Sequence, residues 1–178
     1  NGKRIQKNLV GKDIKNYDSM LVLSHFKGHP MGGFGGALKQ LSIGCASSAG
    51  KANVHGAGKP EEMWTTEQNA FLESMADAAE SVVKLFDGKI VYINVMKNMS
   101  VDCDCCAVAE DPCMDDVGIL SSLDPVALDR ACVDLVMNSN DPGRDHFMER
   151  VNSRHGTHTI DTAAELGIGS KEYELVRV

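Results

Sequence analysis

Apolar residues recur along this chain with two periods, and each period predicts its own elements. From 70 to 86 they fall at Ala70, Phe71, Met75, Ala78, Ala79, Val82, Val83 and Phe86. This is the spacing of one helix face, so a long helix is expected to cover a sheet and to stop near Gly88, with Met75 in the core. Thr65 and Gln68 stand at capping-box spacing ahead of it. Val126, Leu128, Ala131, Cys132, Leu135 and Val136 give a second helix, with Asp124 as its N-cap and Pro125 in its first position. Residues 20–23 and 89–95 are short apolar runs with β-branched members and read as buried strands, and 117–120 reads as a third. Weaker signals place strands at 4–10 and 172–178, a turn with one helical turn at 11–18, a short helix at 145–151, and a helix at 162–166 capped by Asp161 and stopped by Gly167. Strands alternating with helices predict an α/β fold, a three-layer sheet flanked by helices with the strand order undetermined.

Size and charge narrow the picture. The 178 residues suit a single domain spanning 1–178, and the first residues already read as strand, the mark of a fragment or C-terminal portion of a longer protein. Eighteen basic against 25 acidic residues give −7, with no basic tract, which argues against nucleic acid. No apolar run reaches the ~20 residues of a membrane span and no leader is evident. The six cysteines are therefore expected to be reduced thiols in a cytoplasmic protein, with Cys132 a core residue.

Candidate chemistry gathers in residues 24–55. The strand at 20–23 would deliver Ser24 and His25 at its carboxyl end, where α/β sheets collect their sites. Gly28, Gly32, Gly33, Gly35 and Gly36 allow close approach of a ligand, and a helix beginning at 37 would offer free amides to an anion. His25 and His29 lie in a predicted loop, where imidazole can hold a transition metal or carry a proton. His29, Lys39 and His55 form the strongest set. Lys39 could neutralise an anion or act as an amine nucleophile, and Cys45 could be buried, a ligand or a reactive thiol. Lys51 closes a small-residue loop and joins Lys39 and Gly32, Gly33, Gly35 and Gly36 as a candidate cofactor contact.

A second cluster is Asp102, Cys103, Asp104, Cys105 and Cys106, followed by Cys113, Asp115 and Asp116. Thiolates favour zinc, iron or copper, and carboxylates favour magnesium or manganese. Its spacing is neither a zinc ribbon nor a ferredoxin run. Alternation along an extended loop sends Asp102, Asp104 and Cys106 one way and Cys103 and Cys105 the other. Metal ligands are thus sought among His25, His55, Asp102, Cys103, Asp104 and Cys105.

The stretch HFKGHPMGGFGGALKQLSIGCASSAGK, with VDCDC and DVGILSSLDPVALDRACVDLV downstream, closely resembles the domain-of-unknown-function family 362 over about residues 10–178. That family is often associated with iron–sulfur proteins, and its members often carry a ferredoxin-like insertion with paired four-cysteine motifs. Here His55 runs through Gly56–Pro60 almost directly to Trp64, without that insertion. The glycine-rich segment is also similar to nickel-pincer lactate racemases. That resemblance implies that Lys39 holds the pincer cofactor, His55 ligates its metal and His29 is an acid or base.

The expected function is a metal- or cofactor-binding domain of a redox or metallo-enzyme with a small-molecule substrate or redox partner. The alternatives are an enzyme with covalent Lys39 or Cys45 chemistry and a non-enzymatic interaction domain of an iron–sulfur protein.

Overall fold

The computed structural model describes residues 2–178. Its main sheet has three strands in the order β1 (Met20–His25), β4 (Ile90–Met96), β5 (Gly118–Ser122). β1 is parallel to β4, with Met20 opposite Ile90 and His25 opposite Val95, and β5 is antiparallel to β4. A separate hairpin joins β2 (Lys27–His29) to β3 (Gly33–Gly35). It is pinned by Phe26, whose ring lies 5.6 Å from Phe34 and 6.1 Å from Phe147.

Helix α1 (Ala37–Lys39) runs into a π-type turn, Gln40–Gly44, and α2 (Ser48–His55) follows. α3 (Gln68–Phe86) precedes β4, and α4 (Pro125–Met137), α5 (Arg144–Ser153) and α6 (His158–Glu165) complete the chain. The α/β expectation holds. The layers run from the sheet to α1 and α4, then to α3 and α6. All of these helices stand on one side of the sheet, whose other face leaves Leu21, Leu23, Val91 and Ile119 exposed. The strand expected to be buried at 20–23 is therefore an edge strand with one open face. No helix among the described residues is long and apolar enough to cross a membrane.

Local chemistry explains which predicted elements formed. Asp124 caps α4 by accepting from the amides of Val126 and Ala127, with Pro125 in the first turn where no amide is needed. The cap of α3 is Glu67 rather than Thr65, its carboxylate accepting from Asn69 and Ala70. Gln68 instead donates to the carbonyls of Met31 and Arg154, tying the hairpin turn to the end of α5. Asp161 lies inside α6, which begins four residues earlier than expected. The turn at 11–18 contains the short 3-10 helix Ile14–Asn16.

Both terminal strands fail for want of a ladder. The amides of Lys3, Arg4 and Ile5 go to the buried Asp77 carboxylate on α3, so this segment is drawn onto a helix, and Val10 makes only one isolated bridge, to Ala46. Residues 172–178 run exposed beside α4, where the Tyr173 hydroxyl donates to Asp134, and meet no strand edge.

Candidate functional site

The glycine-rich bend is held in place from within the protein. Asp129, fully buried on α4, accepts from the amides of Ala37 (2.8 Å) and Leu38 (2.9 Å), and its Oδ1 also accepts from Asn94 Nδ2 of β4 (2.8 Å). The free amides expected to receive a ligand anion thus receive the chain's own carboxylate. A Cβ on Gly36 would come within 2.4 Å of Asp129 Oδ1. Gly33 adopts φ +79 against the backbone of Gly156. Gly32 donates its amide to His29, and Gly35 leaves room for the stems of Lys39 and Lys27. Gly33 and Gly36 are thus required by packing against protein groups, whereas a Cβ at Gly32 would meet only ordinary contacts. Gly36→Ala is expected to cost about 2–3 kcal/mol in urea unfolding, the range for overpacking beside a buried polar group.

On the far side of this bend, His29, Cys103 and Cys105 offer three ligand atoms within 4.8 Å of one another, a group that could hold a metal ion. Cys103 is buried and Cys105 exposed, and both come from the irregular loop between β4 and β5. Gly28 donates its amide to Ser100 O, which ties this loop to the hairpin. Three donors surround Cys103 Sγ: Lys39 Nζ at 3.4 Å, the Cys105 amide at 3.3 Å and the Cys105 thiol at 2.6 Å. Burial raises the Cys103 thiol, but these hydrogen bonds and the Lys39 charge outweigh it and hold Cys103 below the usual thiol range. Burial and the adjacent Cys103 push Cys105 up to about 11. Of the two thiols, Cys103 is therefore the one that gives up its proton more readily.

His29 Nδ1 accepts from the amides of Met31 (3.2 Å) and Gly32 (2.9 Å), which places the ring proton on Nε2. Burial first, then Lys39, His55, Lys27 and Arg150, lower its pKa to about 3, so the ring is neutral. His55 is lowered as well, mainly by burial and also by Lys39 and Lys51. Its Nδ1 donates to Lys51 O at 2.7 Å, and its ring stacks 5.1 Å from Phe71. His29, Lys39 and His55 thus feel one another's charge, as expected of side chains that converge, but His55 lies outside the ligand group.

Other candidates are committed elsewhere. Both ring nitrogens of His25 are engaged, Nδ1 by Asp104 at 3.0 Å and Nε2 by Lys97 O at 2.7 Å. Asp104 is also paired with Lys27 at 2.8 Å. Asp102 accepts from Arg150 and from the Glu110 amide, bracing the loop. Neither carboxylate reaches the thiols as a ligand, because each is neutralised by a neighbouring cation. Cys45 sits at the end of the π-type turn, partly buried against the core with its thiol pushed up by burial, and Lys51 is exposed on α2. The loop at 102–106 is not extended as expected: Cys103 and Cys105 meet through a turn in which the Cys106 amide donates to Cys103 O. Lys27, Asn94 and Asp129 were missed. The motif LDPVALD stood out in sequence, but nothing in it indicated which amides its second aspartate would meet.

No curated protein and no solved structure matches this chain. One family model does, over residues 1–134. It takes in the N-terminal segment and ends within α4, whereas the motifs suggested a span of about 10–178. With three-quarters of its length matched, including both the glycine-rich bend and the thiol loop, the chain belongs to the family described as Domain of unknown function (DUF362).

Proposed function

We propose that this domain binds a soft metal cation through the thiolates of Cys103 and Cys105, with His29 and Lys39 as N–H donors around them. The reading is carried by the convergence of His29, Cys103 and Cys105 within 4.8 Å. Thiolate sulfur suits Cu(I) or Zn(II). Lys39 offsets negative charge on the two sulfurs when a cation takes the place of their protons. Ligation by His29 is harder, since either its Nε2 proton or two amide hydrogen bonds to Nδ1 must be given up. A bound metal would supply Lewis acidity or a redox centre at the carboxyl end of β1, and His29 Nε2–H could donate a proton beside it. A cytoplasmic redox or metallo-enzyme acting on a small molecule fits this reading. The iron–sulfur and nickel-pincer implications rest on resemblance alone, and a Lys39-bound cofactor would first have to draw Lys39 away from Cys103.

The test is titration of the reduced protein with Co(II) and Cu(I), followed by thiolate-to-metal charge-transfer absorption. One equivalent is expected to bind. Cys103→Ser and Cys105→Ser should each abolish the charge-transfer band, while Cys106→Ser should keep it. Unchanged bands in both site variants would end the proposal.

A second reading is favoured by the 2.6 Å between the two sulfurs. Two ligands on one tetrahedral zinc would stand about 3.7 Å apart, given Zn–S near 2.3 Å. The closer approach suits a dithiol that forms an internal disulfide, losing two protons and passing two electrons to a disulfide acceptor, which becomes two thiols. Mass spectrometry showing a reversible loss of two hydrogens confined to this pair, with no metal retained, would favour it.

A further inference from the structure

The outer face of the sheet is the largest feature that the thiolate site leaves unused. Leu21 lies opposite Val91, Leu23 opposite Ile93, and Ile119 opposite Val95. Their side chains therefore form adjacent rows on the face away from the helices. Val117 and Leu123 have the same parity as Ile119 and extend the β5 row. Exposure is 61% at Leu21, 59% at Leu23, 44% at Val91, 39% at Val117, 70% at Ile119 and 77% at Leu123. Ser121 stands between Ile119 and Leu123, and the rows are bounded at their ends by His25, Lys89 and Lys97. The exposures amount to on the order of 600 Å² of aliphatic surface, at the top of the ~300–600 Å² range for the largest patch on a monomer.

We propose that this face is an interface between two copies of the chain, packed sheet on sheet about a two-fold axis. The area decides in favour of a second copy. About 600 Å² of apolar surface from each chain approaches the ~800 Å² per partner of a standard interface, before any rim is counted. A two-fold axis through the middle of the face sets each row against aliphatic rows of the partner and leaves Lys89 and Lys97 at the rim. Leu, Ile and Val side chains interdigitate at the ~10 Å spacing of stacked sheets. The parallel β1–β4 pair adds a reason for cover, since parallel strands are normally buried on both faces. A lipid surface fits poorly, because the net charge is −7 and only Lys89 and Lys97, at the two ends of the β4 row, could meet anionic headgroups.

Sedimentation equilibrium of the reduced chain at ~10–100 μM tests this, a range that reads micromolar association directly. Twice the 19.2 kDa chain mass is expected. Leu23→Asp combined with Ile119→Asp should weaken association by more than ~100-fold, as loss of central interface contacts does. The helical circular dichroism should be unchanged, since both side chains face outward. If that pair also loses its fold, Ile119→Arg alone, on the edge strand, should give the monomer. A wild-type chain that stays at 19.2 kDa, an open-ended oligomer, or a dimer that survives these substitutions would overturn the proposal.

Discussion

Asp129→Ala is expected to remove a large part of the stability of the fold at 25 °C. The carboxylate is the shared acceptor for the amides of Ala37 and Leu38 and for the Asn94 side chain, all buried. Removing it strands three donors at ~1–3 kcal/mol each and opens a void between α4 and α1. A net loss of about 4–6 kcal/mol is comparable with the ~5–15 kcal/mol total stability of a domain. Asp129→Asn keeps the shape and one acceptor oxygen, so it should lose about half as much. Urea unfolding followed by circular dichroism measures both. An alanine variant within ~1 kcal/mol of wild type would mean that the bend is held by other contacts. The effect should reach the site as well, because α1 carries Lys39 and Asp129 fixes the start of α1.

Acid is expected to destabilise the fold through His29. Its folded pKa of about 3 lies below the ordinary 6.5, so the unfolded chain binds the proton more readily between those values. The stability contributed by the neutral ring is complete above pH 6.5 and is lost as pH falls toward 3. At ~1.4 kcal/mol per unit this is about 2 kcal/mol by pH 5 and about 5 kcal/mol by pH 3. Asp129 works in the opposite sense. Burial raises it to about 6 from 3.8, so its contribution is complete below 3.8 and falls by about 3 kcal/mol as pH rises through 6. The His29 part is isolated by comparing the wild type with His29→Asn over pH 4–8. The variant should lack the loss below pH 6.5, and parallel stability curves would show that the ring is free to protonate in the folded protein.

The two predictions share a physical source, a polar group placed where water cannot reach it. For His29 the environment is cationic, with Lys39, Lys27 and Arg150 all disfavouring a second proton on the ring. After burial, Lys39 also disfavours a second proton on His29, and beside the Cys105 hydrogen bonds it helps to lower Cys103, so one ammonium biases both partners.

Much of this was legible in residues read in order. Helical spacing in α3 and α4, the Asp124–Pro125 start and the β-branched run of β4 each encode local structure, because period and capping depend on neighbours a few residues apart. Cys103 and Cys105 are different: a tight turn, closed by the Cys106 amide on Cys103 O, brings them together, whereas an extended loop would hold residues two apart about 7 Å from each other. The terminal strands were misread because a strand also needs an edge, and residues 3–5 found the Asp77 carboxylate instead. By itself, then, the sequence determined an α/β chain with a glycine-rich bend and one loop dense in cysteines and carboxylates. Only the tertiary structure decided which partners those groups met. It gave Asp129 to the amides of the bend, Lys27 to Asp104, Arg150 to Asp102, and Lys39 and His29 to the thiols. The physical reason is that hydrogen bonds and charge pairs act over a few ångströms, across sequence separations of 48 to 92 residues that no local pattern records.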